Sequence, residues 1–316
     1  MTIVFFVPVA IALLRVGPEP ALAGTLARGY PSPAVRLAAL SIVAAALVLV
    51  AWFRPRWEFL RDVLPFLFAA TIYANLHDLI RYFGAPDITA TLYRWDVFLF
   101  GVEPSIWAER FIHPVWTDFF TVCYWLFYFW GPMLGFLLYL RRERRAFRET
   151  MVTIVFCLYL GYIGYVAWPA SAPRLFIPHA YTISLRGSPA LDLSRASAAA
   201  IPLTSQGAFP SLHCAVALLA LLLAWKHLRW FFWIQLLFGL GLIVGTVYLR
   251  HHWVVDILAG FVLTALAYWL GPKIEHAWER GRTRPEILSG RRETGEPDSE
   301  LPRMLDSAER RFTKRQ

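Results

Sequence analysis

The sequence predicts an all-α protein built as a polytopic transmembrane helix bundle. Of its 316 residues 58% are hydrophobic and only 17% are charged, whereas a soluble domain carries about 25% charged residues. The mean hydropathy is +0.48. The chain contains 14 Trp and 24 Phe, and aromatic rings favour membrane interfaces. The apolar residues are also gathered into runs, and a helix needs about 20 of them to cross a bilayer.

Seven runs are long enough to be membrane spans, and they cover residues 35–53, 59–80, 115–140, 150–168, 209–226, 230–249 and 253–271. An eighth run, 2–14, is short for a span and ends at Arg15 and Pro18. It lacks the basic start and the small-residue cleavage site of a signal peptide. We interpret it as an interfacial helix or a short extra span.

The basic residues predict which loops face the cytoplasm. The connection 141–149 contains five arginines, and positively charged loops stay inside. If all seven runs span, then Arg54, Arg56, the turn with Lys226 and Arg229, and the Arg-rich tail lie on the same side. The opposite, outer face is therefore expected to carry the loops 81–114, 169–208 and 250–252.

The chain divides into three predicted regions: an N-terminal region with one extra helix (1–58), a membrane domain (59–271) and a tail (272–316). The tail is rich in Arg, Glu, Asp, Ser and Pro, so we expect it to be cytoplasmic and largely disordered. The net charge is +9. Because the tail mixes basic with acidic residues, the charge does not indicate nucleic-acid binding.

A first polar cluster, Pro210-Ser211-Leu212-His213, precedes a predicted span on the outer side. Proline is favoured at the first position of a helix. Ser211 and His213 would then lie in the first turn, where free N–H groups and the helix dipole attract anions. The alternative is a helix cap with an incidental histidine.

A second cluster contains His252 and Asp256, which are four residues apart and would share one helix face. The aspartate can accept the Nδ1–H of the imidazole and leave Nε2 free to attack. An unpaired carboxylate beside the apolar run that follows would be costly, so it needs a partner. The alternative is a structural pair that closes a helix end. We expect His251, Tyr248 and Thr246 to support this pair.

The third cluster ends in Arg174, directly after a predicted span. Its guanidinium suits phosphate oxygens, although an arginine here can also simply reach the interface. A metal site is the rival interpretation of three histidines, His213, His251 and His252, together with Asp256. Their spacing is a weak metal signal, and Cys123, Cys157 and Cys214 lie in apolar runs without zinc or disulfide spacing. We therefore expect no metal and no other cofactor.

Over residues 90–270 these three clusters, in this order, resemble the type-2 phosphatidic acid phosphatase superfamily, whose motifs include Pro-Ser-x-His and His-x3-Asp. Leu212, Cys214 and the run 246–249 are similar to its inositol phosphorylceramide synthase branch. The resemblance implies a six-helix core and a metal-independent enzyme with lipid substrates. It implies that His252 attacks phosphorus, that Asp256 orients it, and that His213 acts as the acid. It further implies a phosphohistidine intermediate, with the phosphate held by Arg174, Ser211 and Arg250.

The sequence departs from the superfamily pattern at four positions. Ala167 replaces a lysine, Leu175 replaces a proline, and Gly245 and Thr246 replace a Ser-Arg pair. With two cations missing, the site suits a phosphodiester head group, which favours transfer from a phospholipid to a lipid alcohol. The alternative is a phosphatase for lipid phosphates or polyprenyl diphosphates that uses water. A transporter is less favoured because no internal repeat is visible. The sequence predicts no oligomeric state.

Overall fold

We describe the protein from a computed structural model, which covers residue 11 and residues 33–53, 58–199 and 206–294. Within these residues the regular structure is helical and contains no strand. It consists of α1 (Pro33–Phe53), α2 (Glu58–Ala74), α3 (Leu76–Phe83), α4 (Thr89–Phe100), α5 (Pro104–Trp107), α6 (Pro114–Leu140), α7 (Arg144–Ala167), α8 (Pro173–Phe176), α9 (Pro189–Ala199), α10 (Leu212–His227), α11 (Arg229–Tyr248) and α12 (Val254–Thr294), with two 3-10 turns at Ala108–Phe111 and Pro178–Ala180. The all-α prediction is confirmed.

Each of the seven predicted runs falls on helix. Four segments are long and apolar enough to cross a membrane: α6, α7, α11 and Val254–Ala277 of α12. The described apolar part of α1 and helix α10 are shorter. The protein is therefore an integral, multi-pass membrane protein.

The run predicted as one span over 59–80 is broken into two helices, which together are long and apolar enough for one bent span. Helices α2 and α3 meet at Asn75 with a bend of 56°. The amide side chain of Asn75 donates to the carbonyl of Thr71 at 2.8 Å. A side-chain bond of this kind competes with the regular helix, because it offers the backbone another partner.

Helix α12 continues without a break beyond residue 271 and reaches Thr294. The first half of the predicted tail is thus helical, and residues 295–316 lie outside the described residues. The same holds for the short run 2–14, apart from Ile11. The three-region division stays a prediction.

Helix α10 is the central helix of the bundle and packs against α6, α7, α11 and α12. Small side chains such as Ala215, Ala217 and Ala220 are fully buried there and permit close approach. The contact with α12 is closest at Gly260, where an added Cβ would lie 2.6 Å from the carbonyl oxygen of Ser211. The Thr264 hydroxyl also donates to the Ala215 carbonyl at 2.8 Å. These contacts bring the N-terminal ends of α10 and α12 together.

Candidate active site

Helix α10 begins at Leu212, with Ser211 as its N-cap. The Ser211 hydroxyl oxygen accepts a hydrogen bond from the Cys214 amide at 3.3 Å. Pro210 therefore precedes the cap, and the expectation that it occupies the first helical position is wrong. A serine cap satisfies a free N–H group, which proline cannot do. His213 lies in the first turn, as expected.

His252 lies in the turn 249–253 between α11 and α12, where the carbonyl of Thr246 accepts from the amides of His251 and His252 at 2.8 and 3.2 Å. Since α12 begins only at Val254, His252 and Asp256 do not share a helix face, and that expectation is wrong. They still meet: His252 Nδ1 lies 3.4 Å from Asp256 Oδ2. The turn places the His252 side chain next to the first turn of α12.

The two histidines face each other through their ring nitrogens. His252 Nε2 lies 3.3 Å from His213 Nδ1, and the exposed fractions of the two residues are 3% and 8%. A carboxylate can only accept, so Asp256 assigns the His252 proton to Nδ1. Nε2 then carries a lone pair, and the proton between the rings belongs to His213 Nδ1. The Trp253 amide donates to the same Asp256 oxygen at 3.1 Å.

Burial keeps the His252 imidazole neutral. It lowers the pKa of His252 well below its usual range, and His213 and the Arg174 charge lower the pKa further. An uncharged imidazole keeps a lone pair on Nε2, which here accepts from His213 Nδ1. The turn therefore presents a neutral imidazole to His213.

Arg174 provides a cation beside the histidines. It is the second residue of the short helix α8, and its amide donates to the Arg250 carbonyl at 3.2 Å. Its charge contributes to the lowered pKa of both His251 and His252, after the larger effect of burial. Within the described part of the chain its buried Nε has no hydrogen-bond partner. A buried cation in this state attracts an anion.

The side chain of Arg250 does not pair with the histidines but binds the buried carboxylate of Glu109. Its Nη2 donates to Glu109 Oε1 at 2.8 Å and to the Ile183 carbonyl at 2.6 Å. The guanidinium also lies 3.9 Å from the centre of the Tyr181 ring. Burial raises the pKa of Glu109, but the hydrogen bonds from Ile183 and Thr182 and the Arg250 charge outweigh it and lower the pKa overall. Phosphate binding by Arg250 stays a prediction.

A comparison of the sequence with protein families identifies the superfamily of the chain. The profile of the PAP2 superfamily matches residues 90–270, which is more than half of the chain. The chain belongs to the PAP2 superfamily. Neither a curated protein nor a solved structure matches it.

Membership of the PAP2 superfamily supports an enzyme of the lipid phosphatase or phosphotransferase type. The matched region runs from α4 to α12 and includes all the residues predicted for the site. Among the described residues no group of three or more His, Cys, Asp or Glu side chains is arranged to hold a metal ion.

Two of the predicted supporting residues act mainly on the backbone. The Thr246 hydroxyl donates to the Ile243 carbonyl at 2.8 Å and forms no hydrogen bond with the histidines. The backbone carbonyl of Thr246 is the group that positions His251 and His252. The Tyr248 hydroxyl accepts from the His113 amide at 3.0 Å. This bond holds the start of α6 against the end of α11 and leaves the histidine pair untouched.

Tyr124 is a member of the site that sequence reasoning missed. Its ring stacks on His213 at 4.7 Å and on His251 at 4.5 Å, so it lies between the two imidazoles. It belongs to the aromatic run of α6, where nothing distinguishes it from its neighbours. The stacking restrains the ring plane of His213 and ties it to the turn through His251.

Asp96 of α4 was also missed as a site residue. It is fully buried, and its two oxygens accept from the amides of Val254 and Val255 at 2.8 and 2.9 Å. It thereby caps the N-terminus of α12 from another helix, a favourable place for a negative charge. Burial raises the pKa of Asp96, and these two bonds partly offset that effect.

An apolar cavity of about 170 Å³ extends from His213 into the bundle. Helices α2 and α6 line it together with α7 and α10, yet α2 and α6 form no extended contact with each other. The cavity therefore lies beside a gap between two helices. Its walls are Phe66, Ala70, Tyr73, Phe127, Tyr128, Gly131, Pro132, Ile154, Leu158, Tyr162, Tyr165, Leu212, His213 and Val216.

Proposed function

We propose that this protein is a membrane phosphotransferase that moves a phospho-head group from a phospholipid to a lipid alcohol through a phosphohistidine at His252. One observation carries the proposal. His252 Nε2 faces His213 Nδ1 at 3.3 Å while its other nitrogen meets Asp256. This pairing supplies a nucleophile and an acid at a single point, beside the unpaired guanidinium of Arg174.

In the first step the His252 Nε2 lone pair attacks phosphorus, and the bond from phosphorus to the departing oxygen breaks. The negative charge of the bound phosphate favours the doubly protonated form of His213. His213 gives one of its protons to the departing oxygen and remains a neutral imidazole. Asp256 stabilises the positive charge that develops on His252.

In the second step the acceptor hydroxyl gives its proton to His213, and its oxygen attacks phosphorus. The bond between His252 and phosphorus breaks, which restores both histidines to their starting states. Phosphorus and protons are conserved, and no group is oxidised or reduced. The cycle needs only the two lipids.

Arg174 and the N-terminal end of α10 hold the phosphate oxygens. Arg174 is a charged donor in a buried setting, where such contacts are strong. The Ser211 hydroxyl oxygen is occupied as a cap, but its proton is still available to donate. One well-placed arginine suits the single negative charge of a phosphodiester better than the higher charge of a monoester.

We place this site on the outer face of the membrane. The basic connection 141–149 lies at the end of α6 opposite the histidines, and basic loops face the cytoplasm. By the same rule α12 carries the tail to the cytoplasmic side. A phospholipid donor would then be drawn from the outer leaflet.

A phosphatase that uses water is the second candidate, and membership of the PAP2 superfamily favours it. The test incubates purified protein with a phospholipid labelled in its head-group phosphate, with and without a lipid alcohol. A new labelled lipid that forms only with the alcohol supports the transferase. Water-soluble label released without an acceptor contradicts strict transfer and supports the phosphatase. His252→Ala is the matched inactive control.

A further inference from the structure

Three tyrosines lie where the apolar cavity meets the histidine pair. Tyr73 and Tyr128 line the cavity together with His213. The Tyr128 ring stands edge-on to His213 at 6.4 Å, and the Tyr124 ring stacks on it at 4.7 Å. We call Tyr73, Tyr124 and Tyr128 the tyrosine neck.

The hydroxyls of the tyrosine neck form no hydrogen bond with the described part of the chain. Other tyrosines differ: the Tyr162 hydroxyl donates to the Ala69 carbonyl at 3.0 Å, and the Tyr181 hydroxyl pairs with Ser105 at 2.6 Å. Polar groups in an apolar setting are costly when unpaired. Tyr128 is 47% exposed and Tyr73 and Tyr124 are partly buried, so the three hydroxyls are open to a ligand with hydrogen-bonding atoms.

The neck is also within electrostatic range of Arg174, the cation that we propose holds the phosphate. The Arg174 charge interacts with Tyr73 and Tyr124, and these two tyrosines interact with each other and with Tyr128. In a lipid whose phosphorus lies at His252, the atoms that join the phosphate to the hydrocarbon chains would lie among the three tyrosines of the neck. Beyond the neck the walls are apolar, with Phe66, Ile154 and Val216 among them.

The cavity is suited to the beginning of an alkyl chain. Its volume is about 170 Å³, and apolar cavities of about 150 Å³ bind a guest of the size of benzene. The gap between α2 and α6 gives the remainder of the chain a way into the bilayer. Phosphate, polar neck and chain would thus follow one another in a single line.

We infer that the tyrosine neck recognises the ester or amide carbonyl groups of a glycerolipid or sphingolipid, by donating hydrogen bonds to their oxygens. The inference rests on the proposed function, since it takes the reacting oxygen to lie at His252. An isoprenyl chain carries no carbonyl between its phosphate and its hydrocarbon. It would leave the three hydroxyls unpaired, so the neck selects against polyprenyl substrates.

The test measures binding without turnover, in the His252→Ala protein. The probes are dioctanoylglycerol with ester carbonyls, N-octanoylsphingosine with an amide, and farnesol with neither. We expect the two carbonyl lipids to raise Tm more than farnesol does at equal concentration. Replacing all three neck tyrosines with phenylalanine should remove the difference, with a loss of about 10-fold or more in affinity for the carbonyl lipids. Whichever of dioctanoylglycerol and N-octanoylsphingosine binds more tightly shows whether the neck prefers an ester or an amide carbonyl.

Tyr268→Phe is the matched control, because Tyr268 is a partly buried tyrosine of α12 roughly 18 Å along the helix from Asp256. It should leave the preference intact. If the triple variant does not fold, each single Tyr→Phe change should still cost about 3- to 10-fold in affinity. Equal stabilisation by farnesol, or unchanged binding in the phenylalanine variants, overturns the inference. If carbonyl lipids bind more tightly than farnesol but the wild-type protein turns over no phospholipid, the proposed function is contradicted while carbonyl recognition by the neck is supported.

Discussion

The Nε2 atom of His252 lies 3.3 Å from the Nδ1 atom of His213, and this contact joins two motifs that are 39 residues apart in sequence. It is flanked by Asp256 on one side and by Tyr124 on the other. The pair therefore has a fixed geometry in which one ring can attack phosphorus while the other handles a proton.

Asp256→Asn should lower kcat by about 10²- to 10⁴-fold, because an amide no longer fixes the His252 proton on Nδ1. KM should change little, since the residue does not touch the lipid. Single-turnover assays with a labelled phospholipid measure the effect. Glu143→Gln removes an exposed carboxylate that pairs with Arg141 and should be neutral. Activity within a factor of three of wild type in Asp256→Asn would refute the orienting role.

The pH profile should show no loss of activity near pH 6.5, the usual region for histidine. Because the pKa of His252 is lowered, the nucleophile stays neutral as the pH falls through this range. The acid limb of kcat/KM, which reports the free enzyme, should therefore lie below the usual region for histidine. A phosphodiester donor should be used, because its charge is constant there. An acid limb centred at or above pH 6.5 would contradict a buried neutral nucleophile.

Arg174→Ala should raise the inhibition constant of inorganic phosphate by about 10-fold or more, because it removes the unpaired cation from the site. Arg174→Lys should retain part of the affinity, since lysine supplies a charge without the paired donors. The measurement is competitive inhibition of lipid turnover. Unchanged inhibition in Arg174→Ala would show that phosphate binds elsewhere.

Arg250→Gln and Glu109→Gln should behave alike, because the two side chains pair with each other. Both should lower Tm and kcat by disturbing the turn that carries His252, with the phosphate inhibition constant changed by less than about twofold. The pKa of Glu109 is lowered, so the stability it contributes is present above its unfolded pKa and is lost as the pH falls through the folded pKa. A loss of phosphate affinity in Arg250→Gln equal to that in Arg174→Ala would instead make Arg250 a phosphate ligand.

Asp96→Ala should destabilise the protein by about 0.5–2 kcal/mol, the range for loss of a helix cap. It should also lower kcat, because α12 carries Asp256. Asp96→Asn retains one accepting oxygen, so its stability and kcat should lie between those of the wild type and Asp96→Ala. Asp87→Ala removes a more exposed cap at Thr89 and should have a smaller effect on kcat. A lowered Tm with unchanged kcat in Asp96→Ala would show that Asp96 stabilises the fold but does not position the site.

The sequence was sufficient for the helical class, the positions of the apolar helices, and the three residues that meet at the site. These features depend on local composition and on motifs that recur at fixed spacing. The break at Asn75 and the cap at Ser211 depend on single side-chain hydrogen bonds, which hydropathy does not register.

The missed residues share a different cause. Asp96 bonds to Val254 and Val255 more than 150 positions away, and Tyr124 meets His213 and His251 only through the packing of α6 on α10 and α11. Arg250 carries the charge expected of a phosphate ligand, but Glu109, 141 positions earlier, engages it. Long-range pairs of this kind leave no pattern in the neighbouring sequence.

The phosphohistidine itself is the most direct test of the account. The purified protein is mixed with a phospholipid labelled in its head-group phosphate, quenched at alkaline pH within one turnover, digested, and examined by mass spectrometry. We expect the labelled phospho-group on His252 and none in His252→Ala. In His213→Ala the label should appear more slowly, because the first step lacks its acid, and should be lost more slowly, because the second step lacks its base. Turnover without label at His252, or full activity in His252→Ala, would contradict the account.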